Sequence, residues 1–461
     1  MSFLQSEDKN SFLGTEPLGK LLARLAVPTV LAQIVNMLYN IVDRIYIGHI
    51  PDVGNDALTG VGVCLPIILF VSAFAALISV GGAPRASICM GRQDNAAAER
   101  IMGTCLTAQV VASAILTAVM LIFGRGMLMA FGASVNTIDY ALDYIRIYAI
   151  GTVFVQITMG MNAYITAQGF AKVGMYTVLI GAILNIVLDP VFIFALHLGV
   201  KGAAIATVIS QAVSCVWVLV FLSGDKTTLR IRRGNLRLDF KVLLPCIALG
   251  ISPFIMQSSE SVISVCFNSS LQRYGGDMAV GAMTILSSVM QFANLPLSGL
   301  AQGAQPITGY NFGAGNRERV KGTFFLLLKV SLIYSATLWA LVMLFPSVFV
   351  GVFTPDTGLQ QFAVPALRVF CASMWIFGLQ MACQMTFVAI GNAVSSIMAA
   401  VMRKFILLLP LIYIMPQLVS NKTMGVYMAE PVADFLAVIF TVSLFAVQFK
   451  KALRGLDKEK A

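Results

Sequence analysis

Asn185 and Asp189 stand four residues apart inside the apolar stretch from about Lys172 to Leu196, and Pro190 follows directly. Four residues make about one helical turn, so the carboxamide and the carboxylate share a face. An ionisable side chain in a segment of lipid-spanning length is costly unless it faces a polar cavity or a partner, so the pair marks a place where a proton or a small cation is handled. Pro190 has no N–H. It leaves a carbonyl one turn earlier without its donor and loosens the helix beside Asp189. The chemistry this predicts is a protonatable switch.

Other polar residues fall on single faces in the same way. Gln33, Asn36, Asn40 and Asp43 are spaced by three, four and three residues, a stripe that cannot look at lipid. Comparable stripes are Gln257, Glu260, Ser264 and Asn268, and Gln291, Asn294, Ser298 and Gln302. They predict two polar inner walls that line a substrate cavity. Glu260 is the deepest acidic residue of the second half, with nothing acidic flanking it in sequence, and is read equally as a substrate contact or a structural hydrogen bond. Asp434 is the next candidate.

These residues need elements to hold them. Hydrophobic residues make up 58% of the 461 and charged residues 11%, which describes an integral membrane protein rather than a soluble one. Apolar segments predict twelve helices, at about 21–48, 57–80, 99–124, 138–168, 172–197, 201–222, 241–270, 279–302, 320–346, 358–390, 393–417 and 424–448. The alternating strands of an outer-membrane barrel are absent. The first 20 residues read as a polar tail without a cleavable signal, so the first span serves for insertion.

Basic residues collect on one side by parity: Arg85, Arg92, Lys172, the run from Lys226 to Lys241, Arg317, Arg319, Lys321, and Lys450 to Lys460. The positive-inside rule then puts both termini in the cytoplasm. The same asymmetry explains the net charge of +10 without any nucleic acid. Cys64, Cys89, Cys105, Cys215, Cys246, Cys266, Cys371 and Cys383 are scattered and read as packed residues, and His49 and His197 as interfacial packing, so no metal cluster is expected.

Depth arithmetic joins three of the helices. At 1.5 Å per residue, Asp43 lies about 8–12 Å below the outer end of the first helix, Asp189 about 12 Å below that of the fifth, and Thr207 about 9 Å into the sixth. Polar groups from three helices reach one depth and could surround a proton or a cation.

The chain also repeats itself at an offset of 222 residues, pairing Pro84 with Pro306, Gly91 with Gly313, Phe131 with Phe353, Arg146 with Arg368 and Gly169 with Gly391. Two parallel six-helix lobes follow, 21–222 and 241–448, between a cytoplasmic tail at 1–20, a basic linker at 223–240 and a basic tail at 449–461. Substrate handled between two such lobes is a common transporter plan.

At these residues the chain resembles a known family. Pro28-Thr29 through Asn40-Ile41-Val42-Asp43-Arg44 and Ile47-Gly48, the Asn185 to Pro190 motif, Gly199 to Ala204, and Gln305-Pro306 through Gly309-Tyr310-Asn311 and Gly313 look like the MATE (multidrug and toxic compound extrusion) transporters, in their bacterial MepA-like branch. The resemblance covers nearly the whole chain. It implies an all-α, twelve-helix, two-lobed exporter of the MATE/MOP superfamily that swaps organic cationic or amphipathic drugs for protons, or sodium ions, by alternating access. It carries the family's N-lobe cation site onto Asp43, Asn185, Asp189 and Thr207, and the acid of the seventh helix onto Glu260. One departure stands out: some sodium-coupled members have an aspartate in the tenth helix, where this chain has Gln380 and Gln384.

The expectation is therefore a monomeric secondary transporter without cofactor, coupled to protons or sodium ions. A carboxylate beside apolar walls has its charged form penalised, so Asp43 and Asp189 would take up a proton, let the Pro190 region rearrange and expel a bound cation. A flippase for a lipid-linked substrate is the rival on the same plan. Arg146, Arg368, Lys329, Arg403 and Lys404 keep that rival open if they face inward. A membrane enzyme lacks its nucleophile and base, and a channel its filter. The glycine clusters Gly81-Gly82 and Gly313-Ala314-Gly315 lack the lysine of a phosphate loop and mark a bend or close packing.

Overall fold

The computed structural model describes residues 11–51 and 53–459. The first ten residues of the expected N-terminal tail, and the side chains of Lys458 and Lys460, lie outside the described residues. Fifteen α-helices follow one another: α1 (Phe12–Thr15), α2 (Leu18–Gly48), α3 (Gly54–Gly91), α4 (Asn95–Ala130), α5 (Ile138–Ala167), α6 (Ala171–Pro190), α7 (Val200–Ser223), α8 (Phe240–Gly313), α9 (Arg317–Leu344), α10 (Pro346–Gly351), α11 (Thr357–Phe370), α12 (Phe377–Ala389), α13 (Ala393–Val401), α14 (Leu409–Leu418) and α15 (Lys422–Glu459). Val191–Ala195 and Met402–Leu408 are π-helical, and no strand occurs among the described residues.

Ten of these helical stretches are long and apolar enough to cross a membrane singly, and α11 with α12 forms an eleventh, bent by 43°. α8 runs for 74 residues. At 1.5 Å each this is about 110 Å, far more than one bilayer. It breaks at Gly276, whose φ of 63° and ψ of −161° are open to glycine and not to a helix. Two spans therefore come from α8, and the total among the described residues is twelve. The span expected as one straight helix over 358–390 is instead broken at Cys371–Ser373, which carry neither proline nor glycine. Just past the break α12 packs closely on α9, where a methyl at Gly378 would meet the backbone oxygen of Ser331 at 2.5 Å.

The 222-residue repeat is visible in the backbone. Asp94 caps α4 by accepting from the Ala97 N–H at 2.9 Å, and its counterpart Asn316 caps α9 by accepting from Arg319 at 3.2 Å. One residue earlier, Gln93 and Gly315 take the same left-handed turn, with φ of 62° and 67°. Gly169 and Gly391, with φ of 86° and 79°, end α5 and α12 alike.

The halves touch along one end. Methyls at Gly81 and Gly250 would overlap the carbonyl oxygens of Cys246 and Leu77, and methyls at Gly91 and Gly313 those of Tyr310 and Ile88. Gly81, Gly91 and Gly313 thus serve close approach of α3 to α8, and the helix continues through Gly81-Gly82 without ending. Further along the seam Thr29 donates to the Gly299 carbonyl at 2.6 Å and Gln33 to Gln302 at 3.3 Å. Phe254 closes it against Phe70 and Phe74. Beyond these contacts Asn36, Asn40, Glu260, Ser264, Asn268 and Gln291 are exposed.

Two leader segments tie this end together. The carbonyl of Leu13 accepts from Asn311 at 2.9 Å and from Arg319 at 3.1 Å, and that of Glu16 from Arg319 at 2.8 Å, while Phe12 packs on Gly169. α1 thus bridges the second half and the first. The linker before α8 docks on the first half, where Gln168 Oε1 accepts from Thr227, Thr228 and Leu229 within 2.9 Å.

Candidate functional site

Asn185 and Asp189 close α6 on its buried face, at 2% and 0% exposure. Asn185 Nδ2 donates to Asp189 Oδ1 at 3.1 Å and to Thr207 Oγ1 of α7 at 3.4 Å. Asp43, from α2, brings its carboxyl within hydrogen-bonding reach of Asp189. The three residues that helix rise placed at one depth, Asp43, Asp189 and Thr207, stand together with Asn185, the fourth that the family resemblance pointed to. Asp43 Oδ1, Asp189 Oδ2 and Asn185 Oδ1 are buried and accept no hydrogen bond among the described residues. Such a set is costly unless a proton or cation completes it.

Local sequence explains the placement. Pro190 is the last α-helical residue of α6, and the chain continues as the π-helical turn Val191–Ala195 before His197 and Gly199, both at positive φ, reverse it into α7. Pro190 offers no N–H to the Ile186 carbonyl one turn back, and directly after it the helix widens. Small residues at the α6–α7 contact, Gly202 against Phe192 and Gly181 against Ser214, let the two helices close on the pair.

The other predicted residues scatter more. Asn36 lines a cavity of about 90 Å³ between α2, α5, α6 and α7, together with Tyr39, Asn162, Asn185, Thr207 and Ser214. This is room for several water molecules. Asn40 turns back to the Asn36 carbonyl at 2.6 Å, and Gln33 belongs to the seam between halves. In the second half Gln257 Oε1 and Asn294 Oδ1 are buried without partners among the described residues, while Gln291 is exposed. Gln384 donates to Ser252 at 3.1 Å and Gln380 to Gln384 at 3.4 Å, a neutral cluster at the place of the missing aspartate.

Sequence reasoning missed Tyr144 and Asn162. Tyr144 reaches Thr207 from α5 and stacks on Tyr148 at 6.2 Å, and neither it nor Asn162 belongs to a polar stripe or an acidic pair that would single it out. It also missed the setting of Glu260. Glu260 has a cationic partner, Lys404, at 2.6 Å, and Asp434 is held by Arg403 at 2.7 Å with Glu430 beside it at 3.6 Å. Glu430 carried no signal because it falls near the end of its predicted span.

Two halves of six helices, with buried carboxylates inside each, define a membrane transporter of the two-lobed kind. Residues 28–191 and 253–414 match the MatE family model, once in each half and over more than two thirds of the chain, so the chain belongs to the MatE family of multidrug-export transporters. It is 25% identical over 427 residues to the multidrug export protein MepA of Staphylococcus haemolyticus, covering 92% of this chain and 93% of that one. With MepA of Staphylococcus aureus strain NCTC 8325 it shares 23% over 431 residues, covering 93% and 94%. Among solved structures it is similar to a MATE in the bent conformation, with a TM-score of 0.91, 22% identity and 99% of both chains covered. It is also similar to a MOP superfamily transporter from Pyrococcus furiosus, with a TM-score of 0.89, 23% identity and 98% and 99% covered.

Proposed function

We propose that this chain exports organic cations and amphipathic drugs by alternating access, driven by an inward flow of protons. The carboxyl pair of Asp43 and Asp189 carries the reading. Two carboxyls within hydrogen-bonding reach of each other are best satisfied by a shared proton. Asn185 turns its amide N–H₂, not its oxygen, toward Asp189 and Thr207, which suits a carboxylate that gains and loses a proton better than a sodium ion needing oxygen donors. The basic residues of the closed end, Arg85, Arg92 and Arg319, support a cytoplasmic seam and an outward-facing cleft. Protonation of the pair removes charge from the first half, loosens the turn after Pro190 and favours release of a bound cation to the outside. Proton and drug drive this cycle only by preferring different arrangements.

The flippase reading loses its support in the cation set. Arg403 and Lys404, the two buried members of that set, are held by three acids and so are not available to a pyrophosphate.

The test is transport in proteoliposomes. A fluorescent organic cation is followed under an imposed proton gradient and, separately, a sodium gradient, for the native chain and Asp189→Asn. Proton-driven flux that drops at least tenfold in the folded variant supports the reading. Flux under sodium alone moves the same site to another ion, and no flux under either gradient overturns it.

A further inference from the structure

The second half holds five charges that the N-terminal site leaves unused. Arg403 and Lys404 are adjacent residues of the π-helical segment Met402–Leu408, and their side chains are only 5% and 4% exposed. Such widened turns are rare and frequently stand at functional sites. Arg403 turns to α15, where Nε donates to Asp434 Oδ1 at 2.7 Å, the guanidinium lies 3.6 Å from Glu430 Oε1, and its face covers the Phe377 ring at 4.7 Å. Lys404 turns to α8 and grips Glu260 at 2.6 Å.

The two ends of that last pair differ sharply in setting. The Glu260 side chain is 58% exposed, on the polar stripe that faces the cleft, and Lys404 holds it from behind. A carboxylate open to the cleft and occupied by a tethered ammonium is a cation site with an occupant already in it.

Charge counting says what replaces the occupant. Three acids face two bases, which leaves one negative charge over, and Asp434 Oδ2 is buried with no partner among the described residues. Buried acids left unpaired are expensive. Full pairing needs one more positive charge, which a proton on the buried acids supplies at rest and a bound cation can replace.

We infer that Lys404 is an internal stand-in for the transported cation: one monovalent organic cation takes its place at Glu260, and the displaced ammonium turns to the acids of α15. The inference rests on the exporter reading above and names its substrate class, amphipathic molecules with a single positive charge. With such a molecule bound, each of the three acids has its own cation. A dication overshoots this balance, and an anion meets Glu260 directly. Lys404 thereby sets affinity low enough for release, because every bound drug competes with a group that never leaves.

The experiment is calorimetric titration of the purified, detergent-solubilised chain with tetraphenylphosphonium, a monovalent lipophilic cation. Lys404→Gln is expected to tighten binding about tenfold, and Glu260→Gln to weaken it at least tenfold. The double variant should bind like Glu260→Gln alone, since without the carboxylate the lysine has nothing to contest. This non-additivity is what a merely structural lysine would not produce. If Lys404→Gln does not fold, Lys404→Arg serves: a forked cation grips Glu260 harder and should weaken binding several-fold. Unchanged or weakened binding in Lys404→Gln, or unchanged binding in Lys404→Arg, overturns the inference. When native protein still moves the cation across vesicles, that outcome leaves the exporter reading standing. Native protein that neither binds nor moves it takes both down.

Discussion

Asn185 donates to Asp189 at 3.1 Å across one turn of α6, and the same amide reaches Thr207 on α7 at 3.4 Å. One nitrogen thus joins the carboxylate to the neighbouring helix. Asn185→Ala is expected to leave Asp189 without this donor at the cost of a hydrogen bond to a charged group, about 1.5–3 kcal/mol, and to cut proton-driven flux about tenfold. Asn185→Asp places a third carboxyl beside the pair and should cut it further. Flux assays on reconstituted variants of native-like elution profile decide; full activity in Asn185→Ala would remove the amide from the mechanism.

The seam between halves admits no side chain at Gly250 or Gly313. Gly250→Val should push α8 off α3 and disfavour the state closed at that end, by the 1–3 kcal/mol typical of overpacking or more. Spin labels placed across the seam should show a longer distance in the variant, with the open end drawn together. An unchanged distance distribution would contradict the seam as a gate.

Arg319 holds two carbonyls of the leader, those of Leu13 and Glu16. Arg319→Ala is expected to release α1 and expose Leu13, which is fully buried. Hydrogen exchange at residues 11–16 should rise at least tenfold while the spans stay protected. Protection that persists would show that packing on Gly169 alone retains the leader.

Arg403 sits between Asp434 and Glu430. Removing it as Arg403→Met leaves two buried acids without their cation, at a cost of about 3–5 kcal/mol. Adding Asp434→Leu and Glu430→Leu should recover most of the loss in thermal melting. Failure of this rescue would mean that the guanidinium matters mainly for its contact with Phe377.

At the membrane surface, Asp239 caps α8 and pairs with Arg100 of α4, whose hydrogen bond holds the Asp239 carboxyl below its ordinary range, with a smaller lowering from the Lys241 backbone N–H. A carboxyl lowered by folding adds stability that is complete above its unfolded value, about 3.9, and is lost as pH falls toward the lower folded value. Hydrogen exchange in the 223–240 linker should therefore rise below about pH 4 in the native chain. Asp239→Asn should exchange faster at neutral pH and lose this acid-side step.

Much of this protein can be read one-dimensionally. Polar stripes at helical spacing, a charge bias by loop parity and an offset of 222 residues are all properties of the chain as written, and each depends on helix geometry that lipid enforces. They are enough to bring Asp43, Asp189 and Thr207 to one depth, because straight helices of known rise convert residue number into height. Height says nothing of azimuth. That Asn40 bonds its own helix while Asn36 lines a cavity, that Lys404 stands behind Glu260, and that Glu430 joins Asp434 around Arg403 depend on how α8, α14 and α15 rotate against one another. The π-helical turn at Met402–Leu408, with only Pro410 after it as a hint, and the break before α12, which no proline or glycine announces, shift those rotations. Such choices are made by side-chain packing between segments hundreds of residues apart, and only the tertiary structure holds that information.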